Sequence, residues 1–272
     1  MTTTTLAPAI AERPHRTALG WAVADTKTIA WRNLVTLRRL PQLLVFATVQ
    51  PVIFVLMFRY VFGGAIHVQS GSYVNYLMPG VFAQTVAFGA IQTGIGLAED
   101  LHKGLIERFR SLPMARSAVL AGRTLADLTR NVFVVLLMLA VGYAVGFRNE
   151  TNLFGLLGGL LLMLLFGFSL TWIFAIIGLS TSNAETAQAA SFPILAPLVF
   201  ASSAFVPVSS MPGWLQAFAK NQPVSIAING VRSLMLGGHY ANTGQVLASI
   251  AWSVGIIAVF APLAVRKYRQ AA

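Results

Sequence analysis

The chain has 272 residues, of which 56% are hydrophobic and only 10% charged, and its net charge is +11. Soluble domains carry roughly 25% charged residues, and so little charge leaves most of this apolar surface uncovered in water, which excludes a soluble protein and points to an integral membrane one. The basic residues lie between apolar runs rather than among aromatic ones, so the excess charge reads as membrane topology and contact with lipid headgroups, with no nucleic acid partner.

Residues 1–18 hold a threonine run, Pro8, Pro14, Arg13 and Arg16 without an apolar core, and are expected to form a disordered tail. Residues 19–40 have the pattern of an amphipathic helix lying in the cytoplasmic interface. Val23, Ala30, Leu34 and Leu37 share one face, and Asp25, Arg32, Thr36 and Arg39 share the opposite one.

A bilayer-crossing helix needs about 20 largely apolar residues, and helices are the form open to such runs in lipid. Six stretches qualify within 41–268, and they predict an all-α, six-span membrane domain. The first is 41–62, with a kink at Pro51. The second, 76–98, carries Gln84, Phe88 and Gln92 at i, i+4 and i+8, with Thr85 beside them. Polar groups are costly in lipid, so this stripe should face a transport pathway or a second protomer.

The connection that follows repeats Leu101, Leu105, Ile106, Phe109 and Leu112 on one helical face. Asp100, Lys103, Glu107 and Arg110 lie on the other. A short cytoplasmic helix over 99–112, ended by Pro113, suits docking to a soluble partner; a basic loop that only sets topology is the plainer alternative. The third and fourth spans are 125–147 and 153–179, with Asp127 and Arg130 in the first turn of the third, at the cytoplasmic interface. Gly142/Gly146 and Gly155/Gly159 are small-residue pairs expected to pack those two spans closely.

The fifth span, 187–205, contains Pro193 and Pro197, and Phe192, Phe200 and Ser203 at its end join the pathway candidates. Between it and the sixth span, 243–265, the segment 207–238 is apolar but broken by Pro212 and Pro223. Trp214, Leu215 and Phe218, then Val224, Ala227, Ile228 and Val231, group at helical spacing, which predicts two short helices dipping into the outer leaflet.

Counting Lys and Arg places both termini in the cytoplasm: fifteen of the nineteen lie before the first span, around the second connection or after the last span. Arg148, Lys220 and Arg232 fall outside, and Arg59 snorkels near the outer end of the first span. None of the four lysines follows a glycine, which rules out a phosphate-binding loop of the G-x-x-x-x-G-K type. His15, His67, His102 and His239 lie outside the spans and lack zinc-site spacing, so neither metal nor catalytic residues are expected. No carboxylate is expected at mid-membrane, which argues against an ion-coupled carrier.

The run Gly104-Leu-Ile-Glu-Arg-Phe-Arg-Ser-Leu-Pro-Met-Ala-Arg116, followed by Val119-Leu-Ala-Gly-Arg123, resembles the loop between spans two and three of ABC-2 type permeases. Ser202-Ser-Ala-Phe-Val-Pro-Val-Ser-Ser-Met-Pro-Gly-Trp-Leu-Gln216, with Asn221-Gln-Pro-Val224 and Gly230-Val-Arg-Ser-Leu234, resembles their segment after span five, in particular in the daunorubicin/doxorubicin-resistance-type efflux branch. The resemblance covers about 26–269. Gln222 is a departure, since the family pattern runs Asn-Pro.

This resemblance implies a permease subunit of an ATP-binding-cassette exporter in the bacterial inner membrane, moving an amphipathic drug-like, lipid or glycolipid substrate out of the cytoplasm or inner leaflet. ATP and Mg would bind a separate ATPase subunit, and a second permease copy, identical or paralogous, would complete the pore. Gly104, Leu105, Glu107, Arg108, Phe109 and Arg110 would form the ATPase-coupling surface, and 19–40 the interfacial connecting helix. Pro207, Pro212 and Trp214 would belong to an outer gate, where a packed cap is the plainer reading. A stand-alone secondary transporter or channel is the alternative function.

Overall fold

The computed structural model describes residues 41–66, 68, 71–104 and 116–271, together with the helical residues Trp31 and Val35. The expected tail 1–18, the rest of the expected interfacial helix 19–40 and most of the expected coupling segment, 105–115, lie outside the described residues. Those described form eight α-helices and no strand. They are α1 (Pro41–Leu56), continued by a π-helical stretch Met57–Phe62, α2 (Tyr73–His102), α3 (Arg116–Ala144), α4 (Leu153–Gly178), α5 (Ala184–Phe200), α6 (Gly213–Asn221), α7 (Pro223–Met235) and α8 (Thr243–Ala271). Among them, Tyr73–His102, Gly122–Ala144, Leu153–Gly178 and Thr243–Gln270 are long and apolar enough to cross a membrane.

Local chemistry sets the boundaries. Ser72, Asn152 and Asn183 each accept a backbone N–H from the first turn of α2, α4 and α5, removing one orphan donor per helix. Pro223 opens α7 at a position where no N–H is needed. The fifth helix stops at Phe200 rather than 205. Its two prolines leave carbonyls without internal donors, and Gln222 Nε2 caps the last turn by donating to Leu198 O at 2.8 Å and Ala201 O at 3.0 Å.

Helix α2 is the mostly buried centre of the fold, while α8 packs one face on α4 and α7, burying Ser249, Ser253, Ile256, Ala264 and Tyr268, and leaves its other, apolar face exposed. Contact between α2 and α4 is backbone against backbone. A Cβ on Gly178 would lie 2.0 Å from Gly94 O, and one on Gly94 would lie 2.4 Å from Phe174 O. Without a hydrophobic drive between helices in lipid, such close approach supplies the dispersion contacts that hold them together.

Two expectations are corrected here. The glycine pairs do not pack α3 on α4: Gly142 makes room for Met78 of α2, while Gly155 and Gly159 seat Leu234 O and Met235 of α7. Gly146 instead turns the chain at φ +104°. Nor does a new helix begin at 99, because 99–102 are the last turn of α2, which Gly104 ends with φ +64°, a conformation glycine adopts at no steric cost.

Candidate functional site

At the end of the fold where α2 begins, three elements separated in sequence meet at Arg232 of α7, a residue only 2% exposed. Its Nε and Nη2 donate to Tyr76 O at 3.1 and 2.8 Å, Nη2 also donates to Ser203 O at 2.6 Å, and Nη1 donates to Asn229 Oδ1 at 3.1 Å. No carboxylate pairs with it among the described residues. An unpaired buried charge costs several kcal/mol; here carbonyl dipoles, each worth roughly 1.5–3 kcal/mol to a charged donor, and the face of the Tyr76 ring offset that cost.

The same knot satisfies its neighbours. Tyr76 OH shares its one proton between Ser203 O and Val206 O, both at 3.1 Å, and Tyr73 OH donates to Phe205 O at 2.9 Å. Ser203 N donates to Ser225 Oγ at 3.0 Å, and a Cβ on Gly80 would lie 2.1 Å from Ala204 O. The start of α2, the segment after α5 and α7 are thereby fixed as one body. Ser203, a pathway candidate by sequence, is a buried member of this knot.

Helix α6 is held differently. Pro207 leads into a 3₁₀ turn at Val208–Ser210, Pro212 precedes the helix, and Trp214 is 77% exposed. Ala219 alone of its nine residues is buried, and Gln216 Nε2 ties it back to Met211 O at 2.8 Å.

The polar stripe on α2 is divided. Gln84 is 1% exposed, and neither amide heteroatom has a hydrogen-bond partner among the described residues. Thr85 Oγ1 donates within its own helix to Val81 O at 2.7 Å, and Gln92 is exposed. Phe88 packs against Phe192 at 6.2 Å between ring centroids. Phe200 joins Phe54 and Phe205 at 6.1 and 5.8 Å, with Phe58 stacked on Phe205 at 4.6 Å. Phe192 and Phe200 remain 52% and 45% exposed, so an open aromatic surface runs along α5 beside α1 and α2.

Of the expected coupling surface, only Gly104 is described. Just before it, Lys103 donates to Glu99 at 2.5 Å, and that hydrogen bond holds its ammonium above the ordinary lysine value. Among the described residues, no group of three His, Asp or Glu side chains could hold a metal ion.

A family model, ABC-2 type transporter, matches residues 24–236, which take in the Arg232 knot and the connection between α2 and α3. The chain belongs to the ABC-2 type transporter family. This permease is 39% identical over 260 residues, 95% of its length and 90% of the relative's, to the daunorubicin resistance ABC transporter permease protein DrrB1 of Streptomyces coeruleorubidus. It is 30% identical, over 83% of its own length and 81% of the relative's, to a probable doxorubicin resistance ABC transporter permease protein DrrC of Mycobacterium tuberculosis. A doxorubicin resistance ABC transporter permease protein DrrB of the same species is 30% identical over 71% of this chain and 65% of that protein.

Sequence reasoning missed two features of the permease. Arg232 was counted as an outer-loop charge, although its motif Gly230-Val-Arg-Ser-Leu234 lies on α7 and its spacing fits the buried face of Val224, Ile228 and Val231. The sequence places Asp127 and Arg130 in the first turn of the third span and gives no sign that both side chains lie largely buried between α2 and α3.

Proposed function

We propose that this permease is the six-span membrane subunit of an ATP-driven exporter that moves amphipathic, drug-like or lipid-like molecules out of the cytoplasm or inner leaflet of the bacterial inner membrane. The observation that carries this reading is the 39% identity to a daunorubicin resistance permease, sustained over 95% of the chain.

The two further crossings are α1 with its π-helical stretch and α5. Residues 41–62 reach about 33 Å at helical rise, enough for a hydrocarbon core of about 30 Å. Both termini are cytoplasmic by the distribution of Lys and Arg. ATP is hydrolysed on a separate subunit that docks on 104–110, and Leu105, Glu107, Arg108, Phe109 and Arg110 form that surface. A second permease copy, identical or paralogous, covers the exposed faces of α1 and α5. The pathway runs along Phe88, Phe192 and Phe200, with Gln84, Thr85, Gln92 and Ser203 bordering it, and α6 with Pro207, Pro212 and Trp214 forms the outer gate. An exposed aromatic surface flanked by few polar groups suits an amphipathic substrate.

Expression in a daunorubicin-sensitive host tests this. Resistance should require the permease and its ATPase together and disappear with Phe109→Ala, while the protein stays in the membrane. Resistance from the permease alone would favour a stand-alone carrier.

A further inference from the structure

The cytoplasmic halves of α2 and α3 are joined by polar contacts that topology does not require. Thr93 Oγ1 donates to Asp127 Oδ2 at 2.7 Å, Arg130 Nη1 lies 3.4 Å from Asp127 Oδ1, and Arg130 Nη2 donates to Gly89 O at 2.8 Å. Further toward the cytoplasm, Arg123 pairs with Asp100. Gly89, Thr93, Gly96 and Asp100 follow i, i+4, i+7 and i+11 on one face of α2, and Arg123, Asp127, Arg130 and Asn131 follow i, i+4, i+7 and i+8 on α3.

Two glycines of that face are cleared for the partner helix. A Cβ on Gly89 would lie 2.3 Å from Asn131 Oδ1, and one on Gly96 would strike the Arg123 guanidinium. Thr93 lies twenty residues from the outer end of α2, about 30 Å along the helix, near the inner edge of the hydrocarbon core. Ion pairs there are costly and seldom more stabilising than apolar side chains of similar volume. What they add is register. Apolar side chains tolerate sliding, whereas a chain of hydrogen bonds between two helices is satisfied in one alignment.

We propose that Asp100–Arg123 and Thr93–Asp127–Arg130, anchored on the Gly89 carbonyl, are positioning groups that lock the inner ends of α2 and α3 into one lever. The chain between these helices is the 103–115 connection. Displacing that connection moves both helices together and delivers the motion to Phe88, the neighbour of Gly89, and so to Phe192 on α5. The proposal rests on the reading of 104–110 as the ATPase-coupling surface.

The cysteine-free chain allows a direct test in the complex with its ATPase, with and without ATP and vanadate. Spin labels at His102→Cys and Leu125→Cys, both exposed, report the separation of the two inner ends. A second pair at Leu125→Cys and Leu263→Cys reports movement of the lever against α8. The first pair should give one narrow distance that nucleotide trapping leaves unchanged, while the second should shift. Thr93→Val, which keeps side-chain volume and removes the hydroxyl, and Arg130→Gln should broaden the first distance, make it shift on trapping, and diminish the shift of the second.

A first distance that changes on trapping in the unsubstituted chain would overturn the proposal, as would one that stays narrow and unshifted in Thr93→Val. Loss of Arg130→Gln to misfolding leaves the Thr93→Val result decisive. Phe109→Ala separates the two readings. If it leaves the second shift intact while Thr93→Val diminishes it, the coupling surface lies elsewhere and the lever stands; if it abolishes the shift while Thr93→Val changes nothing, the lever falls alone.

Discussion

The guanidinium carbon of Arg232 lies 3.5 Å from the centroid of the Tyr76 ring, and two nitrogens of the same group donate to the Tyr76 carbonyl. One side chain of α7 thus grips both ring and backbone of α2. Arg232→Ala should destabilise the purified permease, because it strands the Tyr76 and Ser203 carbonyls and the Asn229 amide oxygen, each at a cost of about 1–3 kcal/mol. Lysine should rescue little, because a single ammonium lacks the planar fork that reaches Tyr76, Ser203 and Asn229 together. Tyr76→Phe keeps the ring and loses only the one shared hydroxyl hydrogen bond, so its cost should stay near 1–2 kcal/mol. Thermal unfolding in detergent reads all three. Equal stability of Arg232→Ala and the unsubstituted protein would show that the knot does not hold α2, α7 and the segment after α5 together.

Gln222 links the α6–α7 elbow to the end of α5 through Leu198 O and Ala201 O. Gln222→Leu keeps the volume and strands those carbonyls, at a cost of about 1–3 kcal/mol. Hydrogen exchange at 199–206 should accelerate, while exchange in α4 stays as it was. Unchanged protection at 199–206 would mean that the cap contributes nothing to the order of this segment.

The α2–α4 crossing gives a contrast between glycines. Gly94→Ala and Gly178→Ala drive a methyl into opposing backbone, and overpacking that a flexible side chain cannot relieve costs at least about 1–3 kcal/mol. Gly255 on α8 has nothing within 4 Å of its would-be Cβ among the described residues. Gly255→Ala should therefore be neutral or gain up to about 1 kcal/mol of helix propensity. Yield and melting temperature of the three variants, measured side by side, check this order.

The four helices long and apolar enough to cross a membrane were legible in the sequence because lipid enforces a local rule: an apolar run must satisfy its own backbone, and so becomes a helix. The two short helices between α5 and α8 were legible as helices from Pro212 and Pro223, which set their starts. The knot around Arg232 was not, since its partner Tyr76 lies 156 residues away and nothing near position 232 encodes it. Gly142, Gly155 and Gly159 correctly signalled close packing, but small-residue spacing does not name the partner, and theirs proved to be α2 and α7. Gln84 and Gln92 share a helix face by period, yet their burial depends on what α2 meets along its length: a closed interface at Gln84 and open surface at Gln92. Asp127 and Arg130 were read by the charge rule that orients membrane proteins, which takes no account of hydrogen bonds across a helix pair.

ATP-dependent export tests the central claim most directly. Inside-out vesicles holding the permease alone, the ATPase alone or both are given daunorubicin and ATP, and drug accumulation is followed with vanadate as the control. The account predicts vanadate-sensitive accumulation only where both subunits are present, and its loss when Phe109→Ala replaces the native chain. Accumulation by the permease alone on an imposed ion gradient, with no gain from the ATPase and ATP, would contradict it.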